Sequence, residues 1–214
     1  MIDFAKLARD VHENSKALGF WEPPHDDLSL KVCLIHSEIS KALEELRLPE
    51  EERGGPLGAI LYACGGADGN GGRVRDDVEH GDWCPRVADF TPARPHTPVG
   101  FVSAVADVVI HVLDLTARLG VSLATPVPQQ VTLKARPEDV FMGVIYNLGM
   151  MHEWAYGLKT CVNPGFRDLV GVQALQLVAA AFAAAAIVGG DLEAAIQIKH
   201  AYNLTRPHKH GKEL

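Results

Sequence analysis

Residues 36–46 read HSEISKALEEL and lie within the stretch that decides how the fold is interpreted, residues 28–47. Side chains three or four residues apart share one face of a helix, and acids at that spacing can hold a divalent metal. This stretch has Glu38, but Lys41 stands where a second acid would complete the pair. It therefore predicts a helix that carries either an altered metal site or an ordinary solvated surface.

The rest of the chain also predicts helices, because apolar residues recur at helical spacing. Asp27 or Ser29 can cap the helix over 28–47, where Leu30, Cys33 and Leu34 are among the apolar positions. Pro98 is expected to open a helix that ends at Gly120. The helices are predicted over residues 2–18, about 28–47, about 99–119, about 138–157, about 168–188, and from Asp191 to just before Pro207.

Residues 48–98 have a different composition, rich in Gly, Pro, Asp and Arg. A stretch of this length without helical spacing is typical of a functional or mobile insertion in a compact domain. Its glycine-rich centre lacks the GK[ST] ending of a phosphate-binding P-loop. We expect an all-α protein with a long Gly/Pro-rich insertion that could contain a short hairpin.

A weak internal repeat predicts two related helical units. Residues 118–123 and 188–195 both end one helix at glycine and begin the next, and a helix of about 20 residues precedes each. The units are predicted as residues 1–123, a linker at 124–136, and residues 137–214 with a basic C-terminal tail.

Composition limits the classes of function. The net charge of −7 argues against a nucleic-acid binder with a general positive surface, although a local basic site for a phosphorylated small molecule remains compatible. The four cysteines form no CxxC pair and are expected to be reduced intracellular thiols. The N-terminus is polar, and the apolar run at 177–188 is too short to span a bilayer. We expect a cytoplasmic protein that binds no membrane.

Two of the predicted helices carry acids on one face. The helix over 28–47 has Glu38 and Glu45, and the helix over 99–119 has Asp107 and Asp114. Two such helices packed together could present carboxylates to Mg²⁺, which would neutralise a bound triphosphate. The alternative is a pair of helices whose acids are simply solvated.

Three segments resemble the signature segments of the MazG-like, all-α nucleoside triphosphate pyrophosphohydrolases, and their form is close to phage and actinobacterial members. The segments are residues 19–47, 105–123 and 191–211, and the last contains the pattern KxxYNxTRPxxHG. The resemblance implies a four-helix core, assembly as a dimer or tetramer, and cleavage of (d)NTP to (d)NMP and pyrophosphate with Mg²⁺. Two units in one chain are similar to the dimeric dUTPase branch.

The metal motifs of that family, ExxE and ExxD, are only half present. Glu38 matches the first acid of ExxE, and Lys41 stands at the second position. Asp107 matches the last acid of ExxD, and Ala104 stands at the first. The resemblance thus implies metal binding and catalysis by Glu38 and Asp107, with Glu45 and Asp114 as the acids that could complete the shell around a weakly bound or absent Mg²⁺.

The basic residues have two interpretations each. Lys41 could pair with an acid or contact a phosphate, or it could form a surface pair with Glu45. The resemblance implies that Lys199, Asn203 and Arg206 lie near the phosphates. The alternative is that cations are favoured near any helix C-terminus by the helix dipole.

Three hypotheses follow. The first is a Mg²⁺-dependent (d)NTP pyrophosphohydrolase, and the second is a catalytically degenerate relative that binds a nucleotide or another phosphorylated signal. The third is a helical scaffold whose insertion at 48–98 contacts another protein. A zinc site in the insertion is disfavoured because its cysteines and histidines match no standard spacing: Cys64, His80, Cys84 and His96.

Overall fold

The computed structural model describes residues 2–23, 26–63, 73–75, 97–121, 123, 136–160 and 165–208. Within these residues the chain is mostly helical, so the all-α prediction is confirmed at that level. The elements in chain order are α1 (Phe4–Ala17), α2 (Leu28–Arg47), α3 (Glu50–Arg53), β1 (Leu61–Ala63), β2 (Arg73–Arg75), β3 (Thr97–Val99), α4 (Phe101–Arg118), α5 (Pro137–Thr160), α6 (Gly165–Ile187) and α7 (Leu192–Leu204).

Helix α2 buries a different face from the one suggested by its first leucines. Asp27 caps the helix by accepting a hydrogen bond from the Ser29 amide at 2.7 Å. Leu30 and Cys33 are exposed. The buried side chains are Lys31, Val32, Ile35, Glu38, Ile39, Ala42 and Glu45. Charged residues therefore lie among the apolar ones on the face that packs against the rest of the protein.

Helix α4 is the central element and packs against α1, α2, α6 and α7. Fourteen of its residues are buried, whereas Asp107 and His111 are half-buried. The prediction that Pro98 opens this helix is wrong, because Pro98 lies in β3 and Gly100 follows with a φ of 90°. That positive φ favours glycine, and it changes the direction of the backbone between the strand and the helix.

The insertion holds a small sheet as well as the short helix α3. The strand order is β2-β1-β3, and both pairings are antiparallel, with Leu61 opposite Arg75 on one side and Val99 on the other. Strand β3 contacts α4 and α7. Strands of three residues are too short to show alternation in a sequence, which explains why only a hairpin could be expected.

The helices on both sides of the predicted linker share one hydrophobic core. Buried residues of α1, α2 and α4 join those of α5, α6 and α7 in a single cluster. Most of the linker, residues 124–135, lies outside the described residues. The division into two units stays a prediction.

Helix α6 is the most apolar element. The helix has 23 residues and is long and apolar enough to cross a membrane by length and composition. The 12-residue run seen in the sequence therefore understates the length of its apolar stretch. Within the protein, 61% of its most apolar 18-residue stretch is buried, and the core helix of a soluble protein has the same character. This is weak evidence for a membrane span.

Candidate functional site

The packing of α2 against α4 brings Glu38 near Asp107. Glu38 is 8% exposed, and its Oε1 lies 2.7 Å from the Nζ of Lys41. The two residues are one helical turn apart, which places them on the same face of α2. The Lys41 side chain is 61% exposed, so its ammonium lies on the solvent side of Glu38.

Asp107 pairs with a lysine of α7, 92 residues further along the chain. Its Oδ2 lies 2.7 Å from the Nζ of Lys199 on α7, whose side chain is only 9% exposed. The same ammonium donates a hydrogen bond to the carbonyl oxygen of Pro98 at 3.1 Å. Burial raises the pKa of Asp107; Glu38 adds to the rise, and Lys199 and His111 oppose it.

Arg206 follows the end of α7 and faces the same two acids. Burial lowers the pKa of its guanidinium, whereas Tyr202, Asp107 and Glu38 act in the opposite direction. The guanidinium carbon lies 5.7 Å from the centre of the Tyr202 ring. Among the described residues, the half-buried guanidinium donates no hydrogen bond.

These five residues form a cation-rich cluster, which we call the α2–α4–α7 site: Glu38, Lys41, Asp107, Lys199 and Arg206. Two acids face three bases, so the formal charge in their ordinary ionisation states is +1. A site with this charge favours an anion, and unlike a four-carboxylate cluster it needs no bound cation for neutrality.

Mg²⁺ fits this cluster poorly. Each carboxylate already has an ammonium 2.7 Å from one oxygen, and Mg²⁺ requires about six oxygen ligands in near-octahedral geometry. A metal between Glu38 and Asp107 would have to displace both lysines or lie beside their positive charges.

Two other predicted site residues lie close to this cluster along their helices. Glu45 is buried on α2, two turns beyond Glu38. Asn203 is half-buried on α7 next to Tyr202, and its backbone carbonyl accepts a hydrogen bond from the Arg206 amide at 3.3 Å. This hydrogen bond to the Asn203 carbonyl is one that is typical of a helix end.

Asp114 belongs to a separate cluster, which we call the Asp114 network. Its Oδ1 accepts hydrogen bonds from Trp21 Nε1 at 2.8 Å and contacts His12 Nδ1 at 2.7 Å. Its Oδ2 accepts a hydrogen bond from the Ser15 hydroxyl at 2.7 Å. Asp114 is buried, with 4% of the residue exposed, and its carboxylate ties α1 and the following turn to α4.

The Asp114 network is not a nucleophilic triad, although it contains serine, histidine and aspartate. Ser15 and His12 both contact the carboxylate, whereas a triad requires the serine hydroxyl to contact the histidine. The buried ammonium of Lys31 lies 4.4 Å from the centre of the Trp21 ring and donates to the carbonyl of Phe20. These contacts fix the turn between α1 and α2.

Sequence reasoning missed the contribution of the insertion to the site. Pro98 supplies a carbonyl to Lys199, and Thr97 Oγ1 lies 3.0 Å from the hydroxyl of Tyr202. Partners about 100 residues apart leave no local signal, so only the fold shows them. The disfavoured zinc residues, Cys64, His80, Cys84 and His96, lie outside the described residues.

Comparisons with models of protein families, with curated proteins and with solved structures found no match to this chain. The chemistry of the α2–α4–α7 site is therefore inferred from the charges, burial and contacts of its own residues.

Proposed function

We propose that this chain is a MazG-like helical protein that binds a nucleotide or another phosphorylated small molecule at the α2–α4–α7 site, and that this binding does not require Mg²⁺. The observation that carries the proposal is Arg206, a half-buried guanidinium that donates no hydrogen bond to any described residue. Hydrogen-bond donors that are withdrawn from water and left unsatisfied are costly, and a phosphate would satisfy those of this guanidinium.

The roles of the cations differ in this proposal. Lys199 neutralises Asp107 inside the protein and is committed to that acid and to Pro98. Arg206 can donate two parallel hydrogen bonds to phosphate oxygens, and the exposed ammonium of Lys41 can act as a mobile point charge on a second phosphate. Lys199 thus stands where a metal ion would neutralise the acids.

Mg²⁺-dependent hydrolysis of (d)NTP to (d)NMP and pyrophosphate is a second candidate. It is favoured by the approach of Glu38 to Asp107, which is close enough for the charge of one acid to raise the pKa of the other. Such a pair could orient an attacking water, and Mg²⁺ could join it only by displacing Lys41 and Lys199 from the two carboxylates.

Titration calorimetry with ATP, dUTP and inorganic pyrophosphate, in EDTA and then in Mg²⁺, tests the binding proposal. We expect binding in EDTA, and we expect Arg206→Met to weaken it about 10-fold or more because charge-assisted hydrogen bonds are lost. Arg47→Met is the matched control, since Arg47 pairs with Glu44 on the exposed side of α2. Binding that requires Mg²⁺, or is unchanged in Arg206→Met, would contradict the proposal.

Pyrophosphate release from a panel of (d)NTPs in Mg²⁺ or Mn²⁺ tests the hydrolase candidate. Turnover that disappears in Asp107→Ala would establish hydrolysis at this site. Turnover equal in the wild type and in Asp107→Ala would exclude it. If no nucleotide or pyrophosphate binds under any condition, the scaffold hypothesis is the one that remains.

A further inference from the structure

The ring of Tyr202 lies close to both cations that α7 and its end bring to the site. Its ring centre is 5.9 Å from the Lys199 ammonium and 5.7 Å from the Arg206 guanidinium carbon. Cations within about 6 Å of an aromatic ring centre are attracted by the negative face of the ring. The position of this ring therefore helps to set the position of Arg206.

The Tyr202 ring is held in turn by the insertion. Its hydroxyl lies 3.0 Å from Thr97 Oγ1, and the next residue of the same strand, Pro98, accepts the hydrogen bond from Lys199. Strand β3 is thus bonded both to the ring and to the ammonium beside it. Through β1 the strand is also part of the sheet that contains β2, so the described strands of the insertion are connected to the site by hydrogen bonds.

We infer that Thr97 is a positioning residue of the α2–α4–α7 site, and that the insertion acts through it on the affinity for phosphate. The inference rests on the proposed function. The Thr97–Tyr202 hydrogen bond fixes the ring beside Arg206, and the guanidinium is thereby held in one place before a ligand arrives. Preorganised donors bind more tightly because less freedom is lost on binding.

Three variants isolate this hydrogen bond. Thr97→Val removes the hydroxyl and keeps the shape, Thr97→Ser keeps a hydroxyl, and Tyr202→Phe keeps the ring and removes its hydroxyl. We expect Thr97→Val and Tyr202→Phe each to weaken inorganic pyrophosphate binding in EDTA by about 2- to 10-fold, the range for one neutral hydrogen bond. The double variant should lose no more than either single one, and Thr97→Ser should bind like the wild type.

The matched control is Thr116→Val, because the Thr116 hydroxyl bonds the Leu113 carbonyl within α4, away from the site. A second readout needs no ligand: the Nε–H resonance of Arg206, assigned by its loss in Arg206→Met. We expect Thr97→Val to move this resonance towards its position in Tyr202→Leu, which lacks the ring, and Thr97→Ser and Thr116→Val to leave it unchanged.

The two readouts separate the inference from the proposed function. If pyrophosphate does not bind but the Arg206 resonance moves in Thr97→Val, the proposed function fails and the positioning role of Thr97 is supported. If pyrophosphate binds equally to the wild type and Thr97→Val, and the resonance is unchanged, the positioning role is overturned and the proposed function stands.

Discussion

At the scale of single residues, two lysine–carboxylate pairs with equal distances differ in what they contribute. Both pairs measure 2.7 Å, but the Lys199 side chain is 9% exposed and that of Lys41 is 61% exposed. Removing one partner of a buried pair leaves a charge in a medium that solvates it poorly. An exposed pair is screened by water and contributes little.

We therefore predict that Lys199→Met lowers the free energy of unfolding at pH 7 by about 3 kcal/mol, whereas Lys41→Met lowers it by less than about 1 kcal/mol. Urea denaturation of the two variants beside the wild type measures both values. Equal losses in the two variants would show that burial does not distinguish the pairs.

The pH dependence of stability follows from Asp107. Burial raises its pKa above the ordinary value of 3.8 that applies to the unfolded chain. Below 3.8 Asp107 is protonated in both the folded and the unfolded state. Between 3.8 and the folded pKa it is ionised in the unfolded state and still protonated in the folded state, so the folded state loses relative stability as the pH rises through this window. We predict that the wild type becomes less stable relative to Asp107→Asn as the pH rises from 3.8 through this range, measured by urea denaturation at a series of pH values.

A second aspartate supplies a control of opposite sign. The hydrogen bond from Arg136 lowers the pKa of the exposed residue Asp139 below 3.8. The contribution of Asp139 is therefore present above 3.8 and is lost as the pH falls. If Asp107→Asn and Asp139→Asn changed the pH profile in the same direction, the assignment for Asp107 would be wrong.

For Asp114 we predict a structural role and no role in ligand binding. Asp114→Ala removes the common partner of His12, Ser15 and Trp21, and we expect the free energy of unfolding to fall by about 3 kcal/mol. The fluorescence of Trp21 should change as its indole N–H loses its acceptor. Asp168→Ala, an exposed acid on α6, is the control. Loss of nucleotide affinity in a folded Asp114→Ala protein would return Asp114 to the site.

At the scale of elements, three helix ends follow directly from the residue types in the sequence. Asp27 and Asp191 cap α2 and α7 through their side chains, and Gly120 ends α4 with a φ of 67°. Each of these is a local choice of residue type. The prediction for Pro98 was wrong because proline is equally suited to an edge strand and to a first helical turn. Only the pairing of β3 with β1 shows that Pro98 belongs to a strand.

The same limit applies to the site. Spacing along α2 and α4 predicts that Glu38 and Glu45 share one helical face and that Asp107 and Asp114 share another. It cannot predict which neighbours meet each acid. Asp107 meets Lys199 of α7, and Asp114 meets α1 and Trp21, so two residues seven apart on one helix belong to different clusters.

Two glycines, one in α5 and one in the insertion, should respond in opposite ways to replacement by alanine. A Cβ at Gly149, within α5, would have nothing within 4 Å, whereas a Cβ at Gly58 would lie 2.3 Å from the carbonyl oxygen of Val188. We predict that Gly149→Ala raises the free energy of unfolding by about 0.5–1 kcal/mol, because alanine favours a helix interior.

Gly58→Ala is expected to destabilise, because the obstructing atom belongs to the backbone of the turn between α6 and α7 and cannot move independently. Thermal denaturation of both variants measures the two signs. Stabilisation by Gly58→Ala would mean that the insertion does not pack against that turn.

At the scale of the whole molecule, α4 links the ends of the chain. It packs against α1 and α2 on one side of the predicted linker and against α6 and α7 on the other. The Asp107–Lys199 pair and the Asp114 network lie on the same side of α4, two turns apart. A disturbance of either cluster therefore acts on the helix against which α1, α2, α6 and α7 all pack.

We accordingly predict that the described helices unfold as one cooperative unit and not as separate units on either side of residues 124–136. The single core cluster contains residues from six helices, including Val32 of α2 and Ile196 of α7. Two independently stable units would each need a core of their own.

Urea unfolding followed by far-UV circular dichroism and by Trp21 fluorescence, in a Trp83→Phe/Trp154→Phe background, should give one coincident transition. Lys199→Met should shift both curves by the same amount, because it breaks a contact between the two predicted units; a fluorescence transition that stays in place while the dichroism curve moves would establish two separate units.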